Sequence, residues 1–465
     1  MVVQAVRRID NSSQDFLVLQ KLGNPVKKIE QPPQHVDLLR FFSETDQQGK
    51  SLFLILNDSD LIKQINEDYL YWDKVKYKVP AVFHRFISPV ELWSFIRFKR
   101  NSGSKRLFFA DEHFSFTATD TLYRQLHEFD LHLGGTFGSQ HIIPDNDKHH
   151  YLIGSIMEES IASSQIEGAV TSRTVAKEML RKQRPPRNKS ERMIVNNYTT
   201  IQHIVANKAS LLTPDRLLEI HRLITADTMD KPEETGQFRT HNDIHVVDAV
   251  DGELIHTPPD VKTLPAFIED LCRFFNDEEP AYFLHPIVKA SIVHFLIGYF
   301  HPFTDGNGRT ARALLYWYLL KRGYWLTEYL SISRVIMQSR SQYYKAYQYT
   351  EADDNDLGYF VHYQVKAMKQ AYDELKKYID RKISEKKQTV NWQIDGNLSA
   401  RQAQIVTWVH ADSTRLVSVK EVETVLGVSN QTARTDLQRL AEKGYLKEIL
   451  INQKEKQFTR GPRLA

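Results

Sequence analysis

The chain is poor in cysteine, with Cys272 alone among 465 residues. One thiol excludes an internal disulfide framework and a cysteine-rich zinc site. The expectation for it is a small core residue in a reducing compartment. Long apolar runs are also missing. The greasiest stretches, "IVHFLIGYF" and "ALLYWYLL", fall far short of the ~18 residues that a membrane span needs. The opening segment, "MVVQAVRRIDNSSQDF", lacks an apolar block of the signal-peptide kind. These absences predict a soluble, cytoplasmic protein with no membrane partner. An excess of one charge is absent too: 61 Lys and Arg face 58 Asp and Glu, a formal net charge of +3. A nucleic-acid surface must then be local. No internal repeat and no low-complexity tract occurs.

What is present is enough apolar material, 41% of residues, to bury real cores. At roughly 100–200 residues per domain, the length suggests two to four domains. Residues 1–145 mix short apolar runs with turn signals and read as an α+β accessory region. Within it "SLFLILND" (51–58) and "RLFFADEHFSF" (106–116) predict strands. "SPVELWSFIRFKR" (88–100) predicts a helix capped by Ser88, with Pro89 in its first turn. Residues 146–388 turn helical. A helix over 151–167 stops at Gly168, another opens at Thr213–Pro214, and a long apolar one spans 285–300. Two strand-like runs around Asp251–Gly252 predict a hairpin over 243–259. An amphipathic helix over 359–387 ends in a charged run that reads as a solvated linker. Residues 396–465 then give helix, helix, turn, helix and two strands, the order of a winged helix-turn-helix.

The densest chemistry lies in "HPFTDGNGRTAR", His301 to Arg312. Pro302 pushes His301 out of the α region, so one helix ends there. The next begins near Gly306–Asn307 and aims its first N–H groups and positive dipole end at the turn. Gly306 and Gly308 let those amides approach an anion closely. Arg309 and Arg312 are three apart and share a helix face, placed to chelate phosphate oxygens. Asp305 beside that nest would repel a bare phosphate, a conflict that a bridging Mg²⁺ resolves. His301 could then take a proton from an attacking hydroxyl. A helix C-terminus favours charged histidine, which opposes that role. Three other readings compete. The first is a glycine-rich interhelical turn with a structural histidine. The second is a dinucleotide fingerprint, since "GNGRTA" fits G-x-G-x-x-A, although that motif must follow a strand. The third is a P-loop, whose G-x-x-x-x-G-K-[ST] pattern is absent.

"HPFTDGNGR" resembles the signature of the Fic family, H-P-F-x-[D/E]-G-N-[G/K]-R, at every fixed position. The resemblance extends over roughly 150–385. It implies an all-α core and transfer of AMP from ATP to a protein hydroxyl. By motif position it implies His301 as general base, Asp305 as Mg²⁺ ligand and Gly306, Asn307 and Gly308 as the phosphate cradle. Arg309 would sit on the β-phosphate side, Arg312 on the γ-phosphate, and Phe303 would anchor the loop. Gly308, where the kinase-like Doc branch has Lys, favours AMP transfer over phosphoryl transfer.

Upstream, Ser163-x-x-x-Glu167-Gly168 resembles the inhibitory [S/T]-x-x-x-E-[G/N] motif of Fic proteins. The resemblance implies that Glu167 pairs with Arg312 and withholds the γ-phosphate ligand. The plainer alternative is an ordinary helix end with a solvated Glu167. The hairpin 243–259 resembles the family's flap, which holds a target segment by strand addition; a plain surface hairpin is the alternative. Arg239, in "GQFR", is expected to be structural. Tyr343 and Tyr344 could wall an adenine pocket or belong to the core.

In the third C-terminal helix Asn430, Gln431, Arg434, Thr435 and Gln438 are polar, while Leu437 and Leu440 face inward. From Ala400 onward eleven Lys and Arg face seven Asp and Glu, a net of +4. Polar residues early in such a helix suit the major groove, and Lys454, Lys456 and Arg460 on the wing suit phosphates. A protein-interaction winged helix remains the alternative. The expectation is a mainly α chain: an all-α Fic core with a β-hairpin flap, an N-terminal α+β accessory region and a C-terminal winged helix. Its expected function is autoinhibited protein adenylylation with ATP and Mg²⁺. Its expected partners are a protein target at the flap, DNA at 396–465 and a second copy of the chain. Removal of AMP, or a DNA-binding regulator that senses nucleotide through the Fic core, are the competing functions.

Overall fold

The computed structural model describes residues 3–6, 29–44, 51–79, 87–134, 148–248, 254–412, 414–450 and 456–464. The chain forms two compact units, Met1–Tyr372 and Asp373–Ala465. Both are mainly helical, as the apolar periodicity predicts.

The first unit is built around a helix pair, Pro286–Phe300 and Asn307–Lys321, joined by the His301–Gly306 turn. The first of these is apolar on every side, and a helix of that kind must be central. Twelve of its fifteen residues are buried, including Lys289, whose ammonium donates to Asp277 and to the Glu279 carbonyl. Around the pair stand the helices Lys148–Ile166, Lys189–Ala206, Pro214–Thr225, Leu264–Phe275 and Arg340–Ala352. Thr213 caps its helix as expected, its hydroxyl accepting from the Arg216 amide.

The accessory residues belong to this same unit. The Ser88-capped helix runs Pro89–Ser102, with a full capping box to Glu91. Lys105–Phe109 and Glu112–Phe116 pair as an antiparallel hairpin. The expected strand at 51–58 is instead a helix, Leu52–Asp58. An apolar run that short does not separate strand from helix by pattern. The Ser51 hydroxyl decides it, capping the Leu54 amide while Phe53 and Leu56 face an aromatic cluster with Phe41, Trp93 and Phe95. Arg100 locks that cluster to the core, stacking on Tyr69 and donating to the Tyr359 hydroxyl.

The flap strands His245–Asp248 and Leu254–His256 pair antiparallel, and their connection lies outside the described residues. A third strand, Val3–Val6, pairs with His245–Asp248 from Val3 opposite Asp248 to Val6 opposite His245. The edge expected to be open to a target is therefore covered by the chain's own N-terminal residues. The expected linker also differs. The helix that starts at Gly358 continues through the charged run to Gly396. That run is rich in strong helix formers and carries Lys382–Glu385 pairing one turn apart. The boundary between the units falls inside this helix.

The second unit contains Ala400–Ala411, Val419–Leu426 and Asn430–Glu442, with a sheet ordered Val417–Ser418, Lys456–Arg460, Leu446–Leu450. Ser418 and Ser429 cap their helices and Gly427 turns the chain at φ 62°. This is the winged-helix order expected from the sequence.

Candidate active site

The turn between the two central helices is held by residues from three other places. His301 ends the first helix at φ 45°, ψ 61°. It avoids the right-handed α region, as a residue before proline should, but adopts the left-handed region instead of an extended one. That conformation is uncommon for any residue but glycine and needs surrounding support. Arg239 supplies it: Nε donates to the His301 carbonyl (2.9 Å), its amide to the Pro302 carbonyl (2.9 Å), and Nη2 to the Pro259 carbonyl (2.6 Å). The structural role expected of Arg239 is thus a strut between flap and turn.

Asn307 clamps the turn from below. Its side chain accepts from the Phe303 amide (3.0 Å) and donates to the Phe303 carbonyl (2.8 Å). Only its backbone is left for the phosphate cradle expected of it. Phe303 is fully buried and stacks on His221 at 3.8 Å. His221 accepts from the Gly236 amide at Nδ1, so Nε2 must be the donor to the Asp305 carbonyl (2.9 Å). Burial pushes the His221 imidazole down to about 4. The sequence gives no signal for this residue, since its partners lie 15 and 84 positions away.

The tautomer of His301 is fixed by its surroundings. Its Nδ1 faces the Gly298 carbonyl and must carry the proton, which leaves Nε2 with a lone pair. Burial first, then the neighbouring charge of His256, push the ring down to about 3. The residue as a whole is partly exposed. Burial and nearby cations thus offset the helix-end preference for a charged histidine.

The residues expected to form an anion cradle lie together, with a carboxylate among them. Gly306 caps the second helix at φ 83°, a conformation suited to glycine. Arg309 is 1% exposed and Arg312 2%. Arg309 donates to the Ile224 carbonyl (3.1 Å), while its Nε has no partner among the described residues. Arg312 donates from Nε to the Ser163 hydroxyl (2.8 Å), and from Nη2 to the Ser163 carbonyl (3.0 Å) and to Glu167 Oε1 (2.8 Å). Burial disfavours the Arg312 cation, and its neighbours, Glu167 foremost, together more than restore it. A Cβ built on Gly308 would lie 2.2 Å from Glu167 Oε1. The carboxylate therefore sits directly over the helix start, where a phosphate would approach. Gly168, at φ 96°, ends the helix that carries it.

That helix is pinned along its length. Ser164 donates to the Met193 carbonyl, and Arg340 donates to the Gln165 carbonyl. Glu159, missed in the sequence, is buried and accepts from Tyr316 and from the Ser333 amide. Burial raises its carboxyl, against the hydrogen bonds that lower it. Its signal would have been an acidic residue on the apolar face of the same helix.

Asp305 is exposed; one of its oxygens accepts from the Gly306 amide, and Oδ2 lies 3.7 Å from Arg309. Among the described residues no cluster of three or more His, Cys, Asp or Glu side chains could hold a metal. One carboxylate beside an anion nest suits an ion whose other ligands are phosphate oxygens and water. Tyr343 and Tyr344 are buried. The Tyr343 hydroxyl meets His294 Nε2 (2.9 Å) and its ring packs with Tyr347, Phe360 and Tyr363. Tyr343 thus packs in the aromatic core while standing within electrostatic reach of Arg312 and Glu167. Cys272 is buried and unpaired, as expected, its thiol pushed up to about 11 by burial.

On the third C-terminal helix Asn430, Gln431, Arg434 and Gln438 are exposed, Thr435 is partly so, and Leu437 and Leu440 are buried. On the wing Lys456 pairs with Glu448 (2.6 Å) and Arg460 donates to the Leu464 carbonyl, while Lys454 lies outside the described residues. No described helix is long and apolar enough to cross a membrane.

Residues 211–319 match the model of the Fic/DOC family, and residues 401–450 match that of the DeoR-like helix-turn-helix domain. A protein adenylyltransferase Fic of Nematostella vectensis is 36% identical over 132 residues, 28% of this chain and 26% of the relative. One of Aedes aegypti is 30% identical over 164 residues, 35% of this chain and 29% of the relative. The chain thus spans about a quarter to a third of the length of these curated relatives. A Fic family protein of Desulfovibrio desulfuricans superposes with a TM-score of 0.45 at 19% identity, over 74% of this chain and 97% of that one. The chain carries a Fic/DOC family domain at 211–319, followed by a DeoR-like helix-turn-helix domain.

Proposed function

We propose that the protein transfers AMP from ATP to a Ser, Thr or Tyr hydroxyl of a protein and that Glu167 holds it off. The observation that carries this reading is the Glu167–Arg312 pair lying across Gly308, beside a neutral His301. A carboxylate in an anion cradle is a competitor for the anion. When ATP displaces it, Arg312 is free for the γ-phosphate, with Arg309 and the amides of Gly306, Asn307 and Gly308 around the other phosphates. The target hydroxyl attacks the α-phosphorus and gives its proton to His301 Nε2. The bond to the β-phosphate bridging oxygen breaks and pyrophosphate leaves. The helix N-terminus stabilises the developing charge. Asp305 would hold Mg²⁺, which supplies charge neutralisation on the phosphates.

A protein target would be held at the flap. Since Val3–Val6 covers the His245–Asp248 edge, the target must displace that strand or add elsewhere. The C-terminal domain is read as a DNA reader, supported by its exposed polar helix face. The test is transfer of α-labelled ATP to protein by Glu167→Gly. Labelling well above wild type, lost on adding His301→Ala, supports the reading. Absence of labelling from Glu167→Gly, in lysate or alone, sinks it in favour of a nucleotide-sensing regulator.

A further inference from the structure

We propose that His256 is a positioning residue for hydroxyl activation at His301: a buried imidazolium, fixed by Glu351 and the Tyr299 carbonyl, whose charge keeps a second proton off His301. This deepens the adenylyltransferase reading and rests on His301 acting as its base.

The argument starts from hydrogen-bond accounting. His256 is the last residue of the flap strand Leu254–His256 and is 9% exposed. Its Nδ1 lies 2.8 Å from Glu351 Oε2, and its Nε2 lies 2.7 Å from the Tyr299 carbonyl oxygen. A carbonyl oxygen can only accept, and so can an ionised carboxylate. Both ring nitrogens must therefore donate, and a histidine that donates twice is a cation. Burial opposes that charge, but the Glu351 carboxylate outweighs it and the ring is raised above its ordinary value.

The cation is close to the reacting group. The His256 and His301 ring centroids are 6.3 Å apart. The groups facing His301 are His256, Arg239 and Asp305, with the Gly298 carbonyl at its Nδ1. Those facing His256 are Glu351 and Arg239, beside the Tyr299 ring at 5.2 Å. Of the charges on His301, that of His256 acts most strongly, after burial itself. At 6.3 Å a unit charge in a partly screened interior shifts a neighbour by about one to two pH units. Because Tyr299 lies on the helix that His301 ends, while Glu351 lies on Arg340–Ala352, His256 also ties the flap to the helix that carries the base.

The test does not need catalysis. In full-length protein with labelled histidine rings, nitrogen NMR reads each ring directly, His256 and His301 being assigned by their own substitutions. The expected result is that both His256 nitrogens carry protons at pH 7, and that Glu351→Gln lowers the pH at which the second is lost. In His256→Gln the protonation midpoint of His301 rises by about one to two units. In the Glu167→Gly background, His256→Gln should move the acidic limb of kcat/KM upward by the same amount, with KM for ATP little changed. A neutral His256 at pH 7, or a His301 midpoint unmoved in His256→Gln, overturns the proposal. If the NMR shifts appear but no AMP is transferred, the electrostatic coupling stands and the adenylyltransferase reading falls.

Discussion

Two helix–turn–helix junctions in this chain invite comparison. One joins Pro286–Phe300 to Asn307–Lys321; the other joins Val419–Leu426 to Asn430–Glu442. Each uses a left-handed residue at the end of its first helix, His301 in one and Gly427 in the other. The first junction is buried, and its cations are already engaged by Glu167, Ser163 and the Ile224 carbonyl. The second leaves Gln431, Arg434 and Gln438 exposed. Where a guanidinium is taken out of water, it needs a fixed partner, and at the first junction Glu167 is that partner. An exposed polar helix face needs no such partner, because water solvates it.

The sharpest way to break this contrast is to remove the base. His301→Ala in the Glu167→Gly background should lower labelling from α-labelled ATP by about 10²–10⁴-fold. Next comes the competitor. Glu167→Gly should tighten ATP binding by about 10–100-fold, measured by calorimetry, since a charge-assisted partner of Arg312 is lost. The same variant should melt earlier without ATP, because the buried Arg312 loses its carboxylate partner. ATP should then raise its Tm more than that of wild type.

Acid should separate the two units. His221 is pushed down to about 4 and His301 to about 3 in the folded state. Between those values and about 6.5 the unfolded chain binds more protons, so stability rises with pH and is lost as pH falls. His221 alone should account for about 3 kcal/mol of that loss. The second unit's only histidine, His410, is just partly buried. Calorimetry from pH 7.5 to 4.5 should show the first unit's transition moving down much further than the second's. The smallest effect is on DNA. Arg434→Ala should weaken binding several-fold and reduce the slope of log affinity against log salt by about one. A slope unchanged by the substitution would point the helix toward a protein partner.

Much of the site was legible because its chemistry is local. The glycines, Asp305, Arg309, Arg312 and His301 lie within one turn and two helix ends, where spacing of three or four fixes a face. Glu167 stood out only through the resemblance of Ser163-x-x-x-Glu167-Gly168 to a family motif. Residues that act through space were not. His221 and Glu159 each meet partners far along the chain, and nothing near them in sequence announces it. The 51–58 segment failed as a strand because a short apolar run carries no period, and its cap settled the matter.

The sequence alone determined the glycine-rich turn between two helix ends and the winged-helix order. Those depend on short-range backbone rules and on helical periodicity. Only the tertiary structure decided that Glu167 lies across Gly308, that Asn307 serves the turn, that Val3–Val6 covers the flap edge and that His256 stands charged beside His301. Each of these is a relation between separate segments, and burial, which sets the protonation of His301, exists only once those segments have packed.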